Sequence, residues 1–356
     1  MTNSSHRIDW IDSVKAFSIM AVVLNHTALI SEIKAVVYLV CLPAFFFVAG
    51  MFTNTQLSYK EFFMKKTMRL LIPFIIWGGL SWLAWLVIGR KYGADSQYIY
   101  SWWYPLFGMI YGNVETLIQN PPLWFLCCMI SLEWIYYFIS RIRSLWLRWI
   151  IIAAFAVCGC LLAYWEIHLI WGMTAALIIL PVYAVGAGYK TRIKTDVLSY
   201  HSSIYIIILI CSAVGVLLGS RINGDIQLAK CQIGIPAIYY FSIICVIGFW
   251  ISIAILIKKL WGEIRILQYI GQNTLLVLCT HIPIFGMIKG ICLLFHIPLS
   301  FFDTTLGCLV LWIGAFIILL PIAYLINHYC PIAVGKLPKR PTPLSTSETP
   351  HGSLGD

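Results

Sequence analysis

Arg7-Ile8-Asp9-Trp10-Ile11-Asp12-Ser13-Val14-Lys15-Ala16-Phe17-Ser18-Ile19-Met20-Ala21-Val22-Val23-Leu24-Asn25-His26 is the stretch on which the fold class turns. Arg7, Asp9, Asp12 and Lys15 crowd its start, and no further ionisable group follows until His26. Such a run suits a helix that leaves a polar boundary and enters hydrocarbon. An ionisable residue at membrane depth is costly, so His26 is a functional candidate by default; the other reading is a hydrogen-bonded structural histidine. A helix entering near Asp12 places His26 about 21 Å further along. That is past the midpoint of a hydrocarbon core of about 30 Å, too far for Asp12 to orient the imidazole.

The rest of the chain repeats the apolar pattern. It has 356 residues, 61% of them hydrophobic and only 11% charged, against about 25% charged in soluble domains. The expected fold is all-α: a polytopic integral membrane protein with about ten transmembrane helices. Candidate spans are 13–31, 34–53, 70–89, 122–140, 149–165, 168–188, 204–220, 235–257, 267–288 and 304–330. The stretch 103–118 is apolar but broken by Gly108, Gly112, Asn113 and Glu115, and reads as an interfacial or re-entrant element or a further span. Residues 1–335 form one membrane domain on this reading. Residues 336–356, rich in Pro, Ser, Thr and Gly, read as a disordered tail. No secretory signal peptide is visible in the polar first dozen residues.

The net charge of +10 suggests nucleic acid until its distribution is followed. Eighteen of the 24 basic residues fall on alternate loops and both termini, and six on the remaining loops. The positive-inside rule then puts both termini in the cytoplasm and accounts for most of the charge without nucleic acid. Cysteines lie mostly within apolar runs, where they serve as small apolar residues, and no Cys/His grouping has metal-ligand spacing. Neither a Walker loop, a GxSxG elbow nor an HExxH pair occurs.

Few groups remain that could do chemistry. His281, in Gly271-Gln272-Asn273-Thr274-Leu275-Leu276-Val277-Leu278-Cys279-Thr280-His281-Ile282-Pro283, falls close to the depth of His26. The two could line one cavity, or His281 could end a helix before Pro283. Glu133 is the only acid well inside a span. It would fix the tautomer of a histidine or pair with a lysine from the cytoplasmic side. Asp12 and Lys15 have the spacing of an i,i+3 ion pair. Lys66 and Arg69, also three apart, suit phosphate groups or serve as topology anchors. Trp102, Trp103, Tyr98, Tyr100 and Tyr104 form an interfacial belt or a sugar-stacking surface.

Taken together these pieces resemble the membrane-bound acyltransferase-3 family. Arg7, Asp12, Lys15, Ala16 and His26 stand at the offsets of its first-span pattern, and Leu42-Pro43-Ala44-Phe45-Phe46-Phe47-Val48-Ala49-Gly50 resembles its second. Lys66-Thr67-Met68-Arg69 followed by Leu71-Ile72-Pro73, Leu123-Trp124-Phe125-Leu126, and Gly271, Thr274, Leu275 and His281 complete the series. Within the family the chain looks most like shorter members that O-acetylate sugars, the fucose acetylase-like group. It departs by having lysine for arginine at 15 and 66, alanine for serine at 49, and no appended hydrolase-like domain.

The resemblance implies an O-acyltransferase of the bacterial cytoplasmic (inner) membrane. It would move an acetyl group from cytoplasmic acetyl-CoA to a glycan or saccharide acceptor. His26 is then the general base or an acyl relay, with Glu133 and His281 beside it in the catalytic set. Lys15, Lys66, Arg69 and Asp12 fall on the donor side, and no metal is implied. A transporter or flippase for a lipid-linked glycan is the rival reading; it calls for paired intramembrane charges and inverted repeats, whereas few charges lie inside these spans and no repeat is evident.

Overall fold

The computed structural model describes residues 9–92, 100–189 and 196–336. Arg7, Tyr98, the basic residues Lys190, Arg192, Lys194, Lys339 and Arg340, and the tail from 337 onward lie outside them.

Fifteen helices carry the fold, with no strand among the described residues. They are α1 (Asp9–Asn25), α2 (Ser31–Cys41), α3 (Pro43–Met51), α4 (Tyr59–Lys66), α5 (Ile72–Ala84), α6 (Arg90–Tyr92), α7 (Tyr104–Tyr111) and α8 (Trp124–Ser140). There follow α9 (Leu145–Tyr164), α10 (Met173–Tyr189), α11 (Ser202–Asn223), α12 (Pro236–Trp261), α13 (Arg265–Gln272), α14 (Thr274–Leu294) and α15 (Thr305–Tyr329). Among the described residues nine segments are long and apolar enough to cross a membrane, and they overlay nine of the ten expected spans. The tenth, α1, has 17 residues and is about 25 Å long. It lies inside the bundle, against α2, α3, α12, α13, α14 and α15.

Exposure separates core from periphery. Along α10 most side chains are buried, Tyr183 completely. On the outer helices Ile207, Ile244 and Ile317 are each more than half exposed. In water that much contiguous apolar surface would signal an interface or aggregation. Around a bundle whose backbone is satisfied helix by helix it is the surface that meets lipid. At the centre α3 and α10 pack backbone to backbone. A Cβ on Gly50 would come within 2.1 Å of the Tyr183 carbonyl oxygen, and one on Gly186 equally close to that of Phe47.

Four expected boundaries need correction. The first helix runs from Asp9 to Asn25, not over 13–31. His26 and Thr27 donate their backbone N–H groups to Val23 and Leu24, tightening and closing the last turn. His26 therefore lies just beyond the helix, not buried within it. The second span is two helices, because Pro43 has no N–H for the ladder; the Val40 carbonyl exposed at this break accepts a 2.9 Å bond from Trp250 Nε1. The third begins at Tyr59, not at 70. Ser58 and Glu61 form a reciprocal capping box there, and Thr67–Leu71 continue the helix as a π segment. The span expected at 267–288 is α13 and α14, broken at Asn273, and α14 continues through Pro283 to Leu294.

The stretch 103–118 is not a span. The short helix α7 ends at Gly112, which adopts φ +73°, and the chain then folds inward so that Leu117 and Asn120 are wholly buried.

Candidate active site

Among the described residues, two cavities that share lining residues lie one above the other in the bundle. Asp9, at the start of α1, and Tyr329, at the end of α15, mark the terminal end of the bundle.

At the terminal end a cavity of about 370 Å³ is lined by Lys15, Lys66, Arg69, Glu133 and Lys336 among other residues. The expected Asp12–Lys15 ion pair is present at 2.7 Å. Lys66 and Glu133 form a second pair at 2.6 Å, with both side chains about 7% exposed. Of the two partners its position allowed, Glu133 therefore takes the lysine, and no histidine bonds to it among the described residues. Its Oε2 is buried without a hydrogen-bond partner among the described residues. Lys336 Nζ donates to Asn327 Oδ1. Arg69 differs from these. Its side chain is exposed to the cavity and makes no ion pair or hydrogen bond among the described residues.

The π segment explains how Arg69 comes to this wall. Ile72 N–H bonds back to the Thr67 carbonyl, a five-residue step that inserts extra chain into the helix; such bulges recur at functional sites. Pro73 then leaves the Arg69 carbonyl without its usual donor. Gly335 covers that carbonyl so closely that a Cβ would come within 2.6 Å of it, with φ at +68°. Trp77 Nε1 donates 2.8 Å to the Ala333 carbonyl and ties the same segment down. Gly271 has a comparable role under the Asp12–Lys15 pair: a Cβ there would lie 1.9 Å from the Asp12 carbonyl oxygen.

At the opposite end a cavity of about 160 Å³ is lined by His26, Asn25, Tyr38, Trp124, Gln227 and Lys230 among others. His26 is exposed to it. His281 stands behind, fully buried, with ring centroids 5.0 Å apart. The two histidines meet although α13 and α14 are not one span, because His281 is seven residues into α14. His281 Nδ1 lies 2.8 Å from the Val277 carbonyl oxygen. A carbonyl only accepts, so Nδ1 is the donor, and in the neutral ring Nε2 holds the lone pair. That Nε2 is buried with no hydrogen-bond partner among the described residues.

Asn120, absent from the sequence reading, anchors this end. Its Nδ2 donates 2.9 Å to Ser81 Oγ and 2.8 Å to the Cys279 carbonyl. Cys279 lies four residues before Pro283, so its carbonyl is the one the proline deprives of a helical donor. A proline within an apolar helix was the available signal. Trp102 and Trp103 are both about half exposed and do not line the cavity. The aromatic groups in its wall are Tyr38, Trp124 and Phe125.

Three residues line both cavities: Leu42, Phe125 and Leu278. Three helices, α1, α8 and α14, pass both cavities in the same order. Along α1, Lys15 and Ile19 face the terminal-end cavity and Val22 and Asn25 the opposite one. Along α8, Trp124 is at one side, Phe125 at both, and Leu126, Met129 and Glu133 at the other. Along α14, Thr274 and Leu275 precede Leu278, with His281 a further turn on. From Thr274 to His281 is about 10 Å of helix.

A multi-pass α-helical bundle with a cationic cavity backing onto a histidine-bearing one is the frame of a membrane enzyme. Residues 8–328 match the acyltransferase-3 family, whose model is described as an acyltransferase domain. The chain belongs to that family, and it is a membrane-embedded transferase acting on acyl groups. No curated protein and no solved structure matches it.

Proposed function

We propose that the protein is an O-acetyltransferase of the bacterial cytoplasmic membrane, moving an acetyl group from cytoplasmic acetyl-CoA to a hydroxyl of a cell-envelope saccharide. The observation that carries this reading is the back-to-back pair of cavities. The positive-inside bias places the terminal end in the cytoplasm. Arg69, with no carboxylate partner among the described residues, is available there for a phosphate of the donor, where its planar fork suits two oxygens at once. Lys15 and Lys66 add positive potential, although each already shares its charge with Asp12 or Glu133.

At the far cavity His26 takes the proton of the acceptor hydroxyl as its oxygen attacks the thioester carbonyl carbon. The carbon–sulfur bond breaks, an oxygen ester forms, and CoA leaves as a thiolate that is then protonated. His281 is a positioning residue. Its Nε2 lone pair is the acceptor available to an N–H of His26, and such a bond directs the other nitrogen of His26 toward the acceptor. An acyl-His26 intermediate is the alternative route.

The test is incorporation of labelled acetyl from acetyl-CoA into alkali-labile esters by membrane vesicles that carry the protein. Wild-type vesicles should incorporate label, and His26→Ala vesicles with the same amount of folded protein should not. Equal incorporation by the two would remove His26 from the mechanism.

A further inference from the structure

We propose that Leu42, Phe125 and Leu278 form an apolar waist that sets the length of acyl group the enzyme accepts. This rests on the acyl-transfer reading above. The three residues come from different parts of the chain, yet each lines both cavities. On α1, α8 and α14 the donor-side and histidine-side residues separate at this level. A thioester reaching His26 from Arg69 therefore puts its acyl carbon at the waist and its alkyl tail beyond, in the cavity of about 160 Å³ that also has to receive the acceptor hydroxyl. Each added methylene competes with the acceptor for that space.

The waist is built to hold its shape. Phe125 is wedged between Phe46, at 5.1 Å and 49°, Phe45 at 6.0 Å, and Trp124 at 6.3 Å. Leu42 sits at the break between α2 and α3, held by the Trp250 bond to Val40. Leu278 is buried one turn before His281. All three side chains are apolar and offer no hydrogen bond to an acyl group, so they select by size alone. A hydrophobic site of this kind discriminates by about 10–200-fold for one methylene.

The experiment uses full-length protein in native membrane vesicles supplied with labelled acetyl-CoA, butanoyl-CoA or hexanoyl-CoA, reading alkali-labile esters. Wild type should favour acetyl. Phe125→Ala and Leu278→Ala should each raise the butanoyl-to-acetyl ratio at least about tenfold, and Leu42→Phe should lower it. Phe125→Leu is measured as well, since it keeps more of the packing and should still shift the ratio upward. Folded variants that transfer acetyl with the wild-type ratio would overturn the waist and leave the acetyltransferase reading intact. Absence of transfer from all three donors by wild type would overturn both.

Discussion

The terminal-end cavity is lined by charges that are mostly neutralised in place: Lys15 by Asp12, Lys66 by Glu133. The opposite cavity is about half its size and is lined by His26, with His281 buried behind it, amide and phenol groups and Lys230. On the function proposed above, one holds the anionic donor and the other moves a proton. Within the first the same division recurs. Buried Lys66 has a partner and belongs to the architecture, whereas exposed Arg69 has none among the described residues. Charge is costly to bury here, and accordingly buried Lys66 is paired whereas Arg69 faces open space.

The sharpest way to break the contrast is His26→Ala. Removing a general base costs about 10²–10⁴-fold in rate, so transfer should fall by that factor while detergent-extracted protein keeps the wild-type melting temperature. If the melting temperature falls instead and residual transfer tracks the folded fraction, His26 is structural.

Glu133→Ala should act in the opposite manner. It strands the Lys66 ammonium in a site about 7% exposed, and breaking a buried pair from one side costs about 3–5 kcal/mol. Low yield and a depressed melting temperature are expected. Lys66→Met combined with Glu133→Leu should restore the melting temperature, because apolar replacement of a buried pair is often neutral or better. Failure of the double variant to recover would mean that the pair does more than neutralise itself.

Arg69→Ala should raise the KM for acetyl-CoA about tenfold, the scale of one lost charge-assisted contact, with kcat little changed and partial recovery in Arg69→Lys. A fall in kcat with constant KM would move Arg69 from donor holding to chemistry. The smallest effect is expected of Trp102→Ala and Trp103→Ala. Both rings lie outside the two cavities, and substitutions at such surface positions stay within about 0.5 kcal/mol. Initial rates should therefore remain within about twofold; a larger loss would place acceptor recognition on that surface.

Much of this was legible in sequence. Runs of twenty apolar residues are unambiguous in a membrane protein, so nine expected spans overlap nine observed ones, with some ends several residues or more apart. The missed ends have local causes. The capping box Ser58-x-x-Glu61 precedes the apolar run it starts, and a hydropathy window does not register it. Pro43 and Asn273 break helices whose apolar run continues across them. The similar depth of the two histidines is legible by counting along the apolar run that ends near His281, although that run is broken at Asn273. The Lys66–Glu133 pair was one of two readings for Glu133, since residues 67 positions apart carry no local signal of contact. The waist was not legible. Leu42, Phe125 and Leu278 are ordinary apolar residues, and only the packing of α8 and α14 against the α2–α3 break brings them to one level.

Gly335 has a practical consequence. The segment Pro331–Val334 and the two residues after it are part of the wall beside Arg69, with Gly335 in a backbone conformation that other residues rarely adopt and pressed on the Arg69 carbonyl. Affinity tags and shortened versions of membrane proteins are commonly designed at the carboxyl terminus. In this protein a cut upstream of Lys336, or a rigid fusion joined directly to it, would alter the rim of the cavity, and the apparent donor affinity of such a version would describe the design and not the enzyme.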